Sequence, residues 1–254
     1  MTTNHDSSRV EREREFHNKE FAENDRIKVS SVYHTTRAST NLFIEVLGEN
    51  VRGKRVLEFG CGQNSYAIWM AERGAEVVGI DISDEAIEQM RDRARSQRIS
   101  DKVSFLRMNA EQLDFPDGSF DVVAGRAILH HLDLEKSLSE ISRTLRPGGI
   151  ALFVEPLGHN PMINAYRNRT PELRTPDEHP LLMSDLKLAE RHFGKVTVHY
   201  FHLASLAAAP FAKTRLFSTV LSVLEQVDSA IFKWLPFLRK HAWAVVLVFT
   251  KAPA

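Results

Sequence analysis

The middle of the chain predicts a series of short strands separated by amphipathic helices. Apolar runs of strand length alternate with segments of helical periodicity, which is typical of βαβ units and of a parallel sheet. The predicted strands span residues 55–58, 76–80, 103–108, 120–124 and 150–154. The helices between them are expected to begin near Ser65, Ser83 and Leu134. This alternation predicts an α/β domain with a doubly wound sheet.

The segment before this series, residues 1–50, is predicted to be a helical arm or lid. Its first part is rich in charged residues, and Phe16 and Phe21 are its apolar anchors. Residues 33–47 carry apolar side chains at helical spacing, and Gly48 is a suitable residue to end that helix. We therefore expect a surface element that lies in front of the sheet.

The remainder of the chain is predicted to complete the sheet. The predicted elements are a proline-containing loop over 156–180, a helix over 184–194, a strand over 195–200 and a last strand over 242–249. We assign the core domain to residues 51–200, and the last strand with its tail to residues 242–254.

An insert, residues 201–241, separates the last two predicted strands. Its apolar residues recur every three or four positions: Leu216, Phe217, Val220, Leu221, Leu224, Val227, Ile231 and Trp234. This periodicity predicts a helix with an apolar face. Packing of that face on the domain is the favoured interpretation, and a roof over the substrate or a helix on a membrane surface is the alternative.

Composition narrows the classes of partner. The chain has 33 Lys and Arg against 33 Asp and Glu, so no net field attracts nucleic acid, and we expect no nucleic-acid partner. The single cysteine, Cys61, predicts no intramolecular disulfide, and the polar N-terminus does not resemble a signal peptide, so we expect a cytoplasmic protein. The longest apolar run, residues 242–249, is too short to span a bilayer, which leaves only peripheral contact with a membrane open.

A glycine-bearing loop follows the first predicted strand. The sequence reads VLEFGCGQN, so the strand ends at Glu58 and runs into a tight turn. The residues of this turn include Gly60, Cys61, Gly62 and Asn64. Glycine lets the backbone turn tightly and pass close to a ligand. A dinucleotide site would have a third glycine where Ser65 stands, which disfavours a nicotinamide cofactor.

The Glu-x-Gly-x-Gly pattern after a strand resembles motif I of the class I S-adenosylmethionine-dependent methyltransferases, and the chain is most similar to the small-molecule enzymes of quinone and secondary-metabolite pathways. A third glycine is common in this family, where the chain has Asn64. The resemblance implies S-adenosylmethionine as cofactor and S-adenosylhomocysteine as product, with Glu58 and Cys61 beside it. It also implies a Rossmann-like sheet of seven strands, mostly parallel with an antiparallel last strand.

The second predicted strand leads to an acidic residue, Asp81, about 20 residues beyond the glycines, where a doubly wound fold places a carboxylate on the ribose diol. Ile82 offers an apolar face to adenine. The alternative for Asp81 is a cap on the helix near Ser83. Further residues border the adenine by resemblance to the family: Asn109, Ala110 and Glu111.

Two adjacent histidines, His130 and His131, follow the fourth predicted strand and are the candidate catalytic residues. Methyl transfer mainly requires alignment of the acceptor with the methyl group, and an oxygen or carbon acceptor also profits from a base. Histidine suits that task near neutral pH. We favour His130 and keep His131 in reserve, against the alternative that both only pack. By resemblance, Arg126 places its backbone carbonyl near the donor's amino group.

Other candidates belong to the acceptor side or to a lid. Glu155 ends the fifth predicted strand, where ligands gather in open α/β sheets, and His159 follows it. By resemblance, Tyr33 lies over the donor's carboxylate, and His34 beside it is a substrate candidate. An ordinary loop histidine is the alternative for His159. No spacing of His, Cys and carboxylate residues in the sequence predicts a metal site.

Together these features predict methyl transfer to a small organic acceptor. The insert is far longer than a hairpin turn needs, which favours an apolar or lipid-like acceptor. The competing hypotheses are a nicotinamide-dependent oxidoreductase, a non-catalytic donor-binding scaffold or regulator, and an enzyme that also cyclises its product. The methylated atom and the oligomeric state are left open.

Overall fold

Seven strands form one sheet in the parts of the chain that this computed structural model describes, residues 3–23, 31–175 and 177–253. The strands are β1 (Arg55–Phe59), β2 (Glu76–Asp81), β3 (Val103–Arg107), β4 (Phe120–Arg126), β5 (Leu145–Pro156), β6 (Lys195–Phe201) and β7 (Ala244–Thr250). Their order is β3-β2-β1-β4-β5-β7-β6, and β7 runs antiparallel to both of its neighbours. The other pairings are parallel. The predicted sheet, with its antiparallel last strand, is confirmed.

Helices cover both faces of this sheet. They are α1 (Thr3–Glu23), α2 (Arg37–Asn50), α3 (Ala67–Glu72), α4 (Asp84–Ser96), α5 (Leu134–Thr144), α6 (Pro161–Arg169), α7 (Met183–Leu188) and α8 (Phe217–Trp234). Residues 1–2 and 24–30 of the predicted arm, Pro176 of the predicted loop and Ala254 of the tail lie outside the described residues.

The predicted bounds of the helix over residues 33–47 are wrong. A 3-10 turn (Ser31–Thr36) precedes α2, and Gly48 lies within the helix instead of ending it. The helix ends at Asn50, and its C-cap is Val51, whose φ of −97° needs no glycine. A Cβ on Gly48 would lie 3.5 Å from the indole of Trp69, so the small residue accommodates packing between helices.

The predicted loop over 156–180 is also wrong in part, because it contains α6. The side chain of Asn160 accepts hydrogen bonds from the backbone N–H groups of Met162 and Ile163, at 3.1 Å each. Pro161 occupies the first turn, where its missing N–H costs nothing. The Asn-Pro pair is a signal for a helix start that the number of prolines obscured.

The sheet separates two apolar layers, because successive side chains of a strand point to opposite faces. Leu57 and Phe59 of β1 lie in the layer that also contains Phe153. Val56, between them, lies in the opposite layer with Phe43 of α2. All five side chains are almost fully buried, and each contributes about 1.5–3 kcal/mol. The layers hold the carboxyl ends of the parallel strands at one edge of the sheet.

The insert between β6 and β7 contains α8, which packs on the domain through Leu221 and Phe232. The carboxylate of Asp228, also buried, accepts hydrogen bonds from the backbone N–H groups of Leu203 and Ala204 at the start of a 3-10 helix. The favoured interpretation of the insert is therefore supported for one face of α8. Within the described ranges, no helix is long and apolar enough to cross a bilayer.

Candidate active site

The glycine loop leaves β1 through two residues with left-handed backbone, Gly60 at φ +72° and Gly62 at φ +46°. A Cβ on Gly60 would lie 2.6 Å from the side chain of Ile128, so no larger residue fits there. The backbone N–H of Gly62 donates a 2.8 Å hydrogen bond to the carboxylate of Asp81 at the end of β2. The loop is thus fastened to the neighbouring strand.

The carboxylate of Asp81 accepts hydrogen bonds from the glycine loop and from the start of α4. One oxygen accepts from Gly62, and the other accepts from the backbone N–H of Ser83 at 2.9 Å. Ser83 itself caps α4, because its hydroxyl accepts from the N–H of Ala86. Asp81 therefore lies beside the glycine loop, as a ribose-binding carboxylate would, while Ser83 provides the cap. Ile82, next to it, is partly exposed.

Glu58 lies beneath the loop and connects it to α3. One carboxylate oxygen accepts a 2.6 Å hydrogen bond from the backbone N–H of Tyr66, and the other accepts from the hydroxyl of Ser65. Burial raises the pKa of Glu58 to about 7, although these hydrogen bonds oppose the shift. Burial likewise raises the pKa of the Cys61 thiol, which packs as a small apolar residue. Asn64 is exposed.

The predicted adenine segment lies after β3. The side-chain oxygen of Asn109 accepts a 3.0 Å hydrogen bond from the N–H of Glu111, so it turns back on its own loop. Ala110 and Glu111 are buried. The Glu111 carboxylate accepts a 2.7 Å hydrogen bond from the N–H of Asp133 and a further bond from Arg9 of α1. The segment is thus rigidly attached to its surroundings.

Helix α1 lies across all three of these loops. The side chain of Gln63 donates to the backbone oxygen of Phe21 at 2.9 Å, and the ring of Phe21 faces Gly62. The hydroxyl of Ser83 donates to Asn18 at 2.6 Å. Arg9 donates to Glu111 and, at 2.9 Å, to the backbone oxygen of His131. The helix covers the carboxyl edge of the sheet.

The inner stripe of α1 carries charged residues that meet His131. The carboxylate of Glu13 lies 3.4 Å from His17 and 3.2 Å from His131. Burial would raise the pKa of Glu13, but its contacts with these histidines and Thr175 lower it. Burial would lower the pKa of His17, but Glu13 and Glu20 raise it to about 9. The inner face of α1 therefore places a carboxylate beside a histidine whose pKa favours the protonated form.

His130 forms a buried pair with Glu155. Its Nδ1 lies 2.7 Å from one carboxylate oxygen of Glu155, whose other oxygen accepts from the N–H groups of Ile128 and Leu129 at 2.9 Å each. The exposed fractions are 4% for His130 and 1% for Glu155. The Nε2 of His130 lies 3.8 Å from a carboxylate oxygen of Glu178. The fold thus brings together two candidates that the sequence assigned to separate tasks.

Comparisons with known proteins match part of the chain to methyltransferases. A family model described as a methyltransferase domain matches residues 57–153, from β1 to β5. The chain is 40% identical over 99 residues to methyltransferase GfsG of Streptomyces halstedii, a match that covers 38% of this chain and 36% of that protein. It is 40% identical over 124 residues to a sterol 24-C-methyltransferase of Aspergillus fumigatus, covering 48% and 32%.

The solved structures add the fold. The crystal structure of the [4+2]-cyclase SpnF superposes with a TM-score of 0.58 at 19% identity, covering 86% of this chain and 82% of that chain. Residues 57–153 match a methyltransferase domain, and the fold of the chain is that of this solved structure. The aligned part spans about a third of the length of the two curated relatives.

Two residues predicted from the resemblance to lie near the donor, Arg126 and Tyr33, have side-chain contacts within the protein. The guanidinium of Arg126 donates to the hydroxyls of Tyr66 at 2.8 Å and Thr40 at 3.3 Å, in the layer of α2 and α3. Tyr33 packs edge-on against Trp243, with 5.3 Å between ring centroids. The role of Arg126 predicted from the family concerns its backbone carbonyl, which these side-chain contacts do not involve.

The remaining acceptor candidates lie near the insert. His34 faces Phe217 of α8, with 6.5 Å between ring centroids. The Nε2 of His159 accepts from the N–H of Met183 at 3.2 Å, and its backbone oxygen lies 3.0 Å from His241. His159 therefore holds two loops of the domain together, whereas the side chain of His34 is exposed.

Sequence spacing missed the contribution of α1 and the groups that the fold assembles around His131. In the described residues, Glu13, His17 and His131 converge closely enough to hold a metal ion, as do His130, His131 and Glu178. These residues are far apart in sequence, so spacing alone does not reveal them. A signal was present, however: Arg9, Glu13, His17 and Phe21 recur every four residues and share one face of a helix.

Proposed function

We propose that the chain binds S-adenosylmethionine at the glycine loop and transfers its methyl group to a small organic acceptor. The observation that carries this proposal is the 2.8 Å bond between the N–H of Gly62 and the carboxylate of Asp81. It holds a turn with glycine at positions 60 and 62 beside a carboxylate that suits a ribose diol. Gly60 supports the same assignment, because a side chain there would collide with Ile128.

We propose the other donor contacts from the resemblance to the family. Ile82 and Ala110 supply apolar surface for adenine, and Asn109 and Glu111 border it. Glu58, with Cys61 and Asn64 in the same loop, faces the methionine end, and the backbone carbonyl of Arg126 accepts from the donor's amino group. Tyr33 belongs to a lid over the carboxylate. We propose that the chain is divided into an arm at 1–50, the donor-binding core at 51–200, an insert at 201–241 and the last strand with its tail at 242–254.

When bound, S-adenosylmethionine supplies an electrophilic methyl group on a sulfonium. The protein's task is to align the acceptor and to remove its proton. We assign the base to His130: its Nδ1–H donates to Glu155, which leaves Nε2 as the nitrogen that takes the proton. Glu155 acts as the residue that positions His130, and its carboxylate is itself fixed by two backbone N–H groups.

The acceptor that we propose is apolar or lipid-like. The insert over residues 201–241 is far longer than a β-hairpin turn requires, and one relative is by its name a sterol methyltransferase. His34 at the insert and His159 at the loop after β5 are the proposed contacts for polar groups of the acceptor. His131 is the reserve base.

Calorimetry with S-adenosylmethionine, S-adenosylhomocysteine and NAD tests the donor site. We expect binding of the first two and none of NAD. Asp81→Asn should weaken donor binding about 10- to 100-fold, since a hydrogen bond to a charged group contributes about 1.5–3 kcal/mol. Asp114→Asn, at an exposed position, is the matched control. A preference for NAD would refute the proposal in favour of an oxidoreductase.

Labelled donor and a panel of sterols, polyketides and terpenes test the transfer. A methylated product that requires His130 supports the proposed reaction. Donor binding without transfer to any acceptor of the panel would favour a scaffold or regulator. The SpnF cyclase shares the fold, so the carbon skeleton of each product should be determined as well.

A further inference from the structure

The outer face of α8 carries a continuous apolar stripe. Leu216, Val223, Val227 and Trp234 follow one another at intervals of seven, four and seven residues, which places them on one side of a helix. Their exposed fractions are 61%, 55%, 40% and 73%. These side chains face solvent along the whole length of α8.

The core of the domain does not need this stripe. The buried residues of α8 are Leu221, Asp228 and Phe232, on the other side of the helix. The inner face thus holds the insert on the domain, and the outer stripe is a separate surface.

The apolar surface continues beyond the helix. A 3-10 turn (Pro236–His241) follows, in which Phe237 is 66% exposed, and Leu235 before it is 41% exposed. The tip of the insert therefore presents two aromatic rings, Trp234 and Phe237, to solvent. Tryptophan is enriched at the boundary between water and lipid, and Trp and Phe occur on the apolar face of helices that lie in it.

The charges around the stripe have one sign. Residues 211–241 contain five Lys and Arg but only two acids in a chain whose net charge is zero. Both acids are turned inward: Glu225 pairs with Arg37 of α2, and Asp228 binds backbone N–H groups of the next segment. The outward surface thus combines apolar side chains with cations.

The cations flank the stripe at both ends. Lys213 and Arg215 precede Leu216, whereas Lys233 and Lys240 border the aromatic tip, and all four are exposed. Two copies of this chain docked through the stripe would bring these like charges together, which opposes self-association. An anionic partner surface is complementary to them.

We propose that the outer face of α8 and the turn after it dock on an anionic lipid surface. The apolar stripe enters the boundary between headgroups and acyl chains, while Lys233 and Lys240 bind lipid phosphates. This docking is independent of the proposed methyl transfer, although a bilayer would also be a source of apolar acceptors. The interaction is electrostatic in part, so salt weakens it.

Sedimentation with vesicles tests the docking. The full chain should bind vesicles of phosphatidylcholine with phosphatidylglycerol, and bind vesicles of phosphatidylcholine alone at least tenfold more weakly. The double variant Lys233→Glu with Lys240→Glu should lose at least tenfold in affinity, since each cation near an anionic surface contributes about a fivefold factor. The matched control is Arg52→Glu with Lys102→Glu, two exposed positions elsewhere on the domain.

Tryptophan fluorescence supplies a second measurement. The chain has three tryptophans, and Trp234 is the most exposed, since Trp243 is 8% exposed and Trp69 is half-buried. Anionic vesicles should shift the emission to the blue in the native chain but not in Trp234→Phe. Circular dichroism checks that each variant is folded.

Three outcomes would overturn the proposal. The first is failure of the folded native chain to bind anionic vesicles, and the second is equal binding by the Lys233→Glu and Lys240→Glu variant. The third is a dimer in solution that Trp234→Ala dissociates while vesicles remain unbound, because a second copy would then cover the stripe. Loss of donor binding in calorimetry would affect only the proposed function.

Discussion

Glu58 is an acidic residue held almost completely out of water, with a pKa raised by burial to about 7. Its hydrogen bonds to Ser65 and to the backbone of Tyr66 satisfy the carboxylate but do not outweigh desolvation. Near neutral pH, a modest change in its surroundings therefore decides whether this group carries charge.

We predict that donor binding strengthens as the pH rises from 6 to 8. Below about pH 7 Glu58 is mainly protonated and neutral. The ammonium group of the proposed donor stabilises the charged form of Glu58. Binding should therefore release a proton, and calorimetry in two buffers with different ionisation enthalpies measures it. Glu58→Gln should remove the pH dependence, and an unchanged dependence in this variant would disprove the assignment.

We predict that a substitution in the pair of His130 and Glu155 lowers turnover without weakening donor binding. Glu155→Gln keeps the shape of the side chain but removes the charge that fixes Nδ1–H, so kcat should fall about 100-fold or more with little change in donor affinity. The pH profile of kcat should shift as well. Glu178→Gln, on the other side of the imidazole, is the comparison. A merely structural Glu155 would lower the melting temperature and leave the pH profile in place.

At the scale of elements, α1 is the helix that lies over the candidate donor site. Its residues contact the glycine loop, the end of β2 and the adenine segment at once. Phe21 is 4% exposed, and its ring lies against Gly62. A Cβ on Gly62 would lie 3.6 Å from that ring. A nucleoside that enters between these loops must displace α1 first.

We predict that Phe21→Ala speeds donor association by about 10- to 100-fold. Burial of a phenylalanine contributes about 1.5–3 kcal/mol, and its loss makes the opening of α1 more frequent. Stopped-flow fluorescence measures the association rate. Phe16→Ala, on the same helix but less buried, is the control. An association rate equal to that of the native chain would show that α1 does not limit access.

The elements also show what sequence reasoning can and cannot reach. Strand positions were predictable because buried parallel strands are apolar runs, and the Gly60 and Asp81 signals are local to strand ends. Contacts of α1 with His131 join residues more than a hundred positions apart, which periodicity does not encode. The start of α6 was encoded locally by Asn160 and Pro161 but was outweighed by nearby prolines.

At the scale of the whole molecule, the sheet is packed so closely that some glycines tolerate no side chain. A Cβ on Gly125 of β4 would lie 2.6 Å from the backbone oxygen of Phe59 and 2.7 Å from the ring of Phe153. Two strands and a core side chain meet at this point, so relief would require movement of the backbone itself.

We predict that Gly125→Ala lowers the free energy of unfolding by about 1–3 kcal/mol, the cost of overpacking a core. Gly48→Ala is the matched control, because its Cβ would make an ordinary contact at 3.5 Å and alanine favours a helix by about 1 kcal/mol. Urea denaturation of the three proteins measures both effects. A stability of Gly125→Ala equal to the native value would show that β4 yields more easily than the packing implies.

The position of β7 has a consequence for cotranslational folding. Strand β7 is translated after β5 and β6 but lies between them, so β6 has no partner in the described sheet until residues 244–250 have been made. Until then, the nascent chain presents two open sheet edges, which can recruit a chaperone or pair with another copy. A stop codon before Ala244 would leave these edges permanently open.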